Sequence, residues 1–212
     1  MAQIVPAILE KTKEEFLHKV SLVTKIPGIE RIQVDFGDGQ FIENQLLDAS
    51  EMDTLNPAFT WEAHLMVKAP KDFLDYQICG FKNIIVHYEA YPSVHELNYI
   101  LPKIKALGFK VGVAISPETP VQVLKDVMTD QYLIMSVVPG KQGQAFIPTT
   151  PNKIKELRSL LPHAIIEVDG GVNETNIKIL KEAGADLICV GSSLVKAQDV
   201  NLEYEKLLAA IT

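Results

Sequence analysis

Two aspartates stand directly after apolar, β-rich runs and have the residue type and the placement for acid–base chemistry. Asp35 follows Val34 at the end of one run, and Asp169 follows Val168 at the end of another. A carboxylate is costly to bury without a partner, so two that converge in a cleft indicate proton transfer, metal ligation or both. The alternative for either residue alone is a cap on the loop or helix that follows it.

Two histidines occupy comparable positions. His64 lies near the start of a third apolar run, and His87 closes a fourth. A lone histidine beside apolar neighbours is typical of a buried structural residue. An imidazole placed among carboxylate oxygens, however, is a usual donor set for a divalent cation. The combination of His64 with Asp35 and Asp169 therefore favours a metal site. His87 either lies behind the ligands of that site or is a structural residue.

Glycines follow three of the later runs and have the pattern of an anion site. Gly170 and Gly171 come after one run, and Gly191 and Ser192 after the next. Backbone N–H groups there can hold a phosphate without a basic side chain. The alternative is that these glycines only form tight turns. The segment 140–144 is a candidate loop that closes over substrate.

The elements that must position these residues are recurring strand-plus-helix units. The predicted strands are near-continuous apolar runs at 4–9, 31–34, 63–67, 83–87, 110–115, 132–137, 164–168 and 187–190. Helices are predicted over 12–23, 93–107 and 173–183, with further helix starts at Thr119-Pro120 and Thr150-Pro151. Continuous apolar strands alternating with helices indicate a parallel sheet covered by helices.

Eight such units favour a closed α/β barrel, the (β/α)8 TIM barrel, as a single compact domain over residues 1–212. An open doubly wound sheet would show a Gly-x-Gly-x-x-Gly turn after its first strand, and this chain has Pro6-Ala7-Ile8-Leu9 there. In the barrel the active site lies at the carboxyl ends of the strands. Asp35 and Asp169 then belong to strands two and seven, three strands apart around the ring, and can face each other across the mouth.

Composition narrows the class of partner. Lys and Arg number 20 against 27 Asp and Glu, which gives a net charge of −7. This balance argues against a nucleic-acid partner, and no apolar run is long enough to span a membrane. Two cysteines, Cys79 and Cys189, cannot form a disulfide framework and are interpreted as reduced, buried thiols of a cytoplasmic protein.

Taken together, these residues resemble the ribulose-phosphate 3-epimerase family over essentially the whole chain. The most specific matches are the segments 64–67 (HLMV), 168–172 (VDGGV), 139–144 (PGKQGQ) and 115–120 (ISPETP). The family consists of metal-dependent (β/α)8 barrels of the pentose phosphate pathway that interconvert ribulose 5-phosphate and xylulose 5-phosphate. The resemblance implies an isomerase that takes a small sugar phosphate and forms a homo-oligomer.

The resemblance also implies roles for particular residues. Asp35 and Asp169 would be the two acid–base groups, acting on opposite faces of the substrate at C3. One divalent metal ion (Zn, Mn, Fe or Co) would stabilise the enediolate as a Lewis acid. Its ligands would be Asp35, His64 and Asp169, together with Gln33. The predicted substrate contacts are His64, Met66, Met135, Gly140, Lys141, Gln142, Gly143, Gly170, Gly171, Gly191 and Ser192.

The chain departs from the family pattern at several of these positions. Gln33 stands where the family has a second histidine ligand, and an amide oxygen is a poorer ligand for borderline metals. Ala7 replaces a serine that touches substrate, and Gly37 replaces a methionine. The closing loop reads Gly-Lys-Gln-Gly in place of Gly-Phe-Gly-Gly. Its lysine, Lys141, could contact the phosphate, although a solvated loop lysine is the favoured interpretation.

Two other functions stay open. One is 3-epimerisation of another ketose phosphate, such as a hexulose 6-phosphate, because Ala7 and Gly37 are smaller than the usual residues. The other is a catalytically silent barrel that binds phosphate, because Gln33 and Ala7 are the kind of change that loss of activity produces. Related decarboxylases and hexulose-phosphate synthases are disfavoured, since their Asp-x-Lys-x-x-Asp motif has no lysine in the stretch beginning at Asp35.

Overall fold

The computed structural model describes residues 2–68, 70, 72–129 and 131–212, in which eight parallel strands alternate with helical segments. The strands are β1 Gln3–Ile8, β2 Arg31–Gly37, β3 Thr60–Met66, β4 Asn83–His87, β5 Lys110–Ile115, β6 Gln131–Met135, β7 Ile165–Asp169 and β8 Leu187–Val190. The α-helices are α1 Lys13–Val23, α2 Leu74–Cys79, α3 Val94–Ala106, α4 Thr150–Leu160, α5 Ile177–Ala183, α6 Ser192–Val195 and α7 Val200–Ile211. Short 3-10 turns cover Ala49–Glu51, Tyr88–Ala90 and Val121–Asp126.

The strands close into one barrel in sequence order, which confirms the predicted (β/α)8 architecture. Each strand pairs in parallel with the next, and β1 closes the ring against β8. The register places Asp35 beside His64 across β2 and β3, and Met135 beside Asp169 across β6 and β7. The carboxyl ends of the strands therefore gather the predicted functional residues at one edge.

The core explains why the strands read as apolar runs. Residues that face outward from the barrel pack against the helices, and the resulting cluster includes Ile32, Val34, Leu65, Val168 and Ile188. Parallel strands covered by helices bury both faces, so little alternation remains. Both cysteines are buried free thiols, as the sequence predicts.

The barrel interior carries an unusual number of polar side chains below the strand ends. The Oε2 atom of Glu62 accepts hydrogen bonds from Arg31 (3.0 Å), Asn83 (3.1 Å) and Gln131 (2.7 Å). Gln131 also donates to Glu167 at 2.7 Å. Burial, followed by the nearby charge of Glu62, raises the pKa of Glu167 well above its ordinary value. Hydrogen bonds offset the cost of burying these polar side chains. The bonded side chains form one connected polar layer inside the barrel, below the strand ends.

Local capping follows the sequence at two helices. The Thr12 side chain accepts the Glu15 N–H at the start of α1, and the Ser93 side chain accepts the Glu96 N–H at the start of α3. Helix α5 begins at Ile177, four residues later than predicted, and ends at Gly184 in the left-handed region. In α1 and α3 the first residue of the predicted range is thus the cap, and the helix itself begins one residue later.

Of the two helix starts predicted at Thr-Pro pairs, the first is wrong and the second is confirmed with its cap one residue earlier. Thr119-Pro120 leads into the 3-10 turn Val121–Asp126 instead of an α-helix, and the Thr119 hydroxyl donates to the Glu89 carboxylate instead of capping. Thr150 is the first residue of α4, so the capping position falls one residue earlier, at Thr149. In the first case a tertiary partner takes the hydroxyl that a local cap would have used.

Candidate active site

Asp35, His64 and Asp169 converge at the mouth of the barrel, as the sequence predicts. Asp35 lies near the end of β2, His64 lies beside it on β3, and Asp169 ends β7. His64 Nδ1 lies 2.8 Å from Asp35 Oδ1 and 3.8 Å from Asp169 Oδ2. One potential ligand atom from each residue lies within 4.8 Å of the others, and all three residues are buried.

This donor set fits a divalent metal ion. Two carboxylate oxygens and one imidazole nitrogen face a common point, and oxygen with nitrogen donors suits Zn, Mn, Fe and Co. Three protein ligands also leave coordination positions for water or substrate, which is typical of catalytic metal sites.

Gln33 lies between the two aspartates and presents its amide nitrogen to them. Its Nε2 donates to Asp35 Oδ1 at 3.0 Å and to Asp169 Oδ2 at 3.1 Å. Its Oε1 accepts the Cys189 thiol at 3.3 Å. An amide nitrogen donates hydrogen bonds and does not ligate metals, so Gln33 could serve as the predicted ligand only after its amide turns over. In the arrangement observed, it holds the two carboxylates together.

The surroundings of the site shift the pKa values of Asp169 and His64. Burial, followed by the charge of Asp35, raises the pKa of Asp169 to about 7. Burial alone would lower the pKa of His64, but its hydrogen bond to Asp35 and the charges of Asp35 and Asp169 outweigh burial and raise that pKa. A carboxyl group that titrates near neutrality can both give and take a proton under ordinary conditions.

His87, which the sequence left as a supporting or a structural residue, contacts the site directly. Its Nε2 lies 2.9 Å from His64 Nε2, and its Nδ1 lies 3.2 Å from Glu89 Oε2. Burial lowers the pKa of His87 to about 4. Hydrogen bonds from His87, Thr119 and the Ser116 N–H outweigh the effect of burial on Glu89 and lower its pKa to about 2.

The predicted substrate-binding residues line a cleft of about 540 Å³ above the two aspartates, counting the part open to solvent. All of them except His64 line it, together with Asp35 and Asp169: Met66, Met135, Gly140, Lys141, Gln142, Gly143, Gly170, Gly171, Gly191 and Ser192. His64 is fully buried and is not among the lining residues. Ala7, which stands at the family's substrate-touching serine, and Gln144 of the candidate closing loop also line the cleft. Leu9, Val137 and Val172 line it too and were not predicted, because an apolar side chain gives no sequence signal for substrate binding.

Two of the glycines in the cleft are required by the backbone. Gly170 has φ of 118°, and a Cβ there would lie 2.4 Å from a methyl carbon of Val137. Gly171 has φ of 63°, and its Cβ would lie 2.8 Å from the backbone nitrogen of Phe146. Since L side chains rarely adopt such φ values, glycine alone lets the chain pass this close to the cleft.

The segment 140–144 crosses the mouth of the barrel and is held there by side-chain contacts. Asn44 Nδ2 donates to the Gly140 carbonyl at 2.8 Å, and Gln142 Nε2 donates to the Leu9 carbonyl. Lys141 Nζ pairs with Glu43 at 2.9 Å, with 61% and 84% of the two side chains exposed. The lysine charge is thus already paired with a solvated carboxylate, in agreement with the favoured interpretation of Lys141.

Within the described part of the chain, none of the helices has the length and apolar character that crossing a membrane requires.

Comparisons with known proteins agree with the fold and identify similar proteins. The model of the ribulose-phosphate 3 epimerase family matches residues 3–195. Ribulose-phosphate 3-epimerase of Bacillus subtilis is 32% identical over 209 residues, covering 94% of each chain. The protein of that name from Chlamydia muridarum is 33% identical over 192 residues, covering 85% of this chain and 83% of its own. The solved 3-hexulose-6-phosphate synthase of Salmonella typhimurium superimposes with a TM-score of 0.72 at 18% identity, covering 99% of this chain and 98% of that one; this similarity concerns the fold alone.

Proposed function

Since this chain belongs to the ribulose-phosphate 3-epimerase family, we propose that it interconverts D-ribulose 5-phosphate and D-xylulose 5-phosphate. The observation that carries the proposal is the pair Asp35 and Asp169, which line one cleft and share the hydrogen-bond donor Gln33, with His64 bonded to Asp35. Epimerisation at C3 removes a proton from one face of the carbon and returns a proton to the other. Two carboxyl groups that flank the substrate provide the two positions this requires.

The proton balance follows from the two carboxyl groups. In one direction Asp35 takes the C3 proton, and the electron pair of that C–H bond delocalises onto the adjacent carbonyl to give an enediolate. Asp169 then gives its own proton to the opposite face of C3. In the metal-free chain burial and the charge of Asp35 raise the pKa of Asp169 to about 7, so its surroundings favour the protonated form. The reverse reaction uses the same residues with their roles exchanged.

The metal of the family fits the ligand set Asp35, His64 and Asp169. When bound, the ion would act as a Lewis acid that stabilises negative charge on the oxygens of the enediolate. The chain keeps these carboxylates close through Gln33, whose amide hydrogens reach both of them.

The phosphate would be bound by backbone amides instead of basic side chains. Gly170, Gly171, Gly191 and Ser192 line the cleft, and glycine exposes its N–H groups without steric cover. Lys141 also lines the cleft, but its ammonium pairs with Glu43. An anion bound in this way suits a chain whose net charge is −7.

The experiment that tests the proposal follows conversion of ribulose 5-phosphate to xylulose 5-phosphate by NMR, with the protein stripped of metal and then reloaded with Zn²⁺, Mn²⁺, Fe²⁺ or Co²⁺. We expect conversion with at least one ion. Asp35→Asn and Asp169→Asn should each lower kcat by about 10²- to 10⁴-fold or more, the usual contribution of one acid–base group. If the protein binds phosphate but converts no substrate with any of these ions, it is instead a catalytically silent, phosphate-binding barrel.

A second candidate substrate is a hexulose 6-phosphate. The sequence favoured it because Ala7 and Gly37 are smaller than the usual residues, and the structure supports only the argument from Ala7. Ala7 lines the cleft, so a side chain smaller than the family's serine does face the substrate position. Gly37 does not enlarge the cleft, because a Cβ at this position would lie 2.4 Å from Ile42 Cδ1 and the space is already filled. Comparing kcat/KM on five- and six-carbon ketose phosphates decides between the two substrates.

A further inference from the structure

A buried line of hydrogen-bonding side chains runs from the metal-ligating histidine to the exit of β5. His64 Nε2 lies 2.9 Å from His87 Nε2, and His87 Nδ1 lies 3.2 Å from Glu89 Oε2. The other carboxylate oxygen of Glu89 accepts the Ser116 N–H at 2.7 Å and the Thr119 hydroxyl. Both imidazoles are fully buried.

The direction of each hydrogen bond follows from the groups at the outer end of this line. Glu89 is surrounded by donors, the backbone N–H of Ser116 and the hydroxyl of Thr119. A carboxylate in such a setting only accepts, so the hydrogen between Glu89 and His87 must reside on His87 Nδ1. A neutral His87 with its hydrogen on Nδ1 has a bare lone pair on Nε2.

The lone pair on His87 Nε2 determines which ring nitrogen of His64 carries a hydrogen. Two ring nitrogens 2.9 Å apart share one hydrogen, and because His87 Nε2 is the acceptor, the hydrogen belongs to His64 Nε2. The free position of His64 is then Nδ1, the nitrogen that faces Asp35 Oδ1 and Asp169 Oδ2. Without metal this nitrogen shares a proton with Asp35, and a bound ion takes the place of that proton.

The ring positions agree with this hydrogen bond. The His64 and His87 ring centroids lie 5.1 Å apart with their planes 28° apart, as expected for two imidazoles that meet nitrogen to nitrogen, and the Phe41 ring lies 4.7 Å from the His87 ring. The two imidazoles therefore meet edge to edge in nearly one plane.

We propose that His87 and Glu89 are positioning residues that fix the tautomer of His64 and so keep its Nδ1 available to the metal ion. The inference rests on the metal site of the proposed function, but it concerns metal affinity and not turnover. A group that orients a metal-ligating histidine typically contributes 10- to 100-fold to metal affinity.

The first test measures Zn²⁺ affinity by competition with a chelator in the absence of substrate. His87→Leu removes the acceptor for His64 Nε2–H and should weaken Zn²⁺ binding by about 10- to 100-fold. His87→Gln has a similar volume and offers an amide oxygen, so it should restore most of that loss. Phe41→Leu is the packing control, since Phe41 touches the His87 ring without a hydrogen bond; it should weaken Zn²⁺ binding far less than His87→Leu does.

Three outcomes would overturn the proposal: wild-type affinity in His87→Leu, equal losses in the Leu and Gln variants, or an equal loss in Phe41→Leu. A second measurement covers the case in which the His87 variants do not fold. Long-range ¹H–¹⁵N spectra of unaltered, Zn²⁺-loaded protein with ¹⁵N-labelled histidine should show His64 carrying its hydrogen on Nε2. A hydrogen on Nδ1 refutes the assignment. Because neither measurement uses a sugar phosphate, failure of the epimerase proposal would be recognised separately.

Discussion

The raised pKa of Asp169 makes the stability of the metal-free protein depend on pH. An aspartate whose pKa is about 7 in the folded chain and 3.8 in the unfolded chain binds its proton more tightly when folded. The folded state therefore gains from protonation at low pH, and this advantage is lost as the pH rises from 3.8 through 7. Over the range from pH 5 to pH 8 the loss amounts to about 3 kcal/mol.

Other groups titrate in the same direction, so a variant must isolate the contribution of Asp169. The raised pKa of His64 also gives stability that is lost as pH rises, and the raised pKa of Glu167 acts like that of Asp169. Both residues remain in Asp169→Asn, in which the side chain at 169 cannot titrate. The decrease between pH 5 and pH 8 should therefore be smaller in this variant by about 3 kcal/mol.

The assay is urea unfolding of wild type and Asp169→Asn, each in a chelator at pH 5 and pH 8. A second set of samples, in which saturating Zn²⁺ replaces the chelator, provides a control. An ion that binds the ionised carboxylate should restore the free energy of unfolding at the higher pH. An equal pH dependence in the two proteins, or stability of the wild type that rises with pH beyond that of the variant, would refute the reasoning about the site.

Three further predictions follow from single residues. Gly171→Ala should destabilise the fold by about 1 kcal/mol or more, measured by urea unfolding, because φ is 63° and the Phe146 backbone lies 2.8 Å from the new Cβ; unchanged stability contradicts this. Lys141→Ala should change the free energy of unfolding by less than about 1 kcal/mol, because its partner Glu43 is exposed, and should leave KM for the sugar phosphate nearly unchanged; a large rise in KM assigns the lysine to the phosphate. Gln33→His should tighten Zn²⁺ binding by about tenfold or more in chelator competition, since an imidazole replaces an amide that points its donor at the carboxylates; weaker binding contradicts this.

The sequence predicts the barrel because its strands are apolar on both faces, but it underestimates the strands that carry the site. The prediction for β2 stopped at Val34, whereas the strand runs to Gly37, and β3 begins at Thr60 instead of Ala63. In both cases polar residues such as Asp35 and Glu62 interrupt the apolar run although they lie within the strand. Polar residues inside a barrel resemble a strand end when only the pattern is read.

The candidate site, too, could be predicted from the sequence only in part. The meeting of Asp35, His64 and Asp169 is predictable, because parallel strands in a closed ring bring their carboxyl ends to one edge. The orientation of the Gln33 amide, and the contact of His64 with His87, depend on rotamers and hydrogen-bond partners from distant segments. Thr119 shows the same limit, because its hydroxyl serves Glu89, thirty positions away, and not the turn beside it. The homo-oligomer stays a prediction.

The measurement that tests the central claim most directly is exchange at C3 in deuterated water. Metal-loaded protein is incubated with ribulose 5-phosphate, and deuterium at C3 of both ketose phosphates is followed by NMR, with Asp35→Asn and Asp169→Asn as controls. The two-carboxylate account predicts deuterium at C3 with the unaltered protein and a loss of epimerisation in either variant. Epimerisation that persists in both variants, or the absence of C3 exchange with every divalent ion offered, would contradict it.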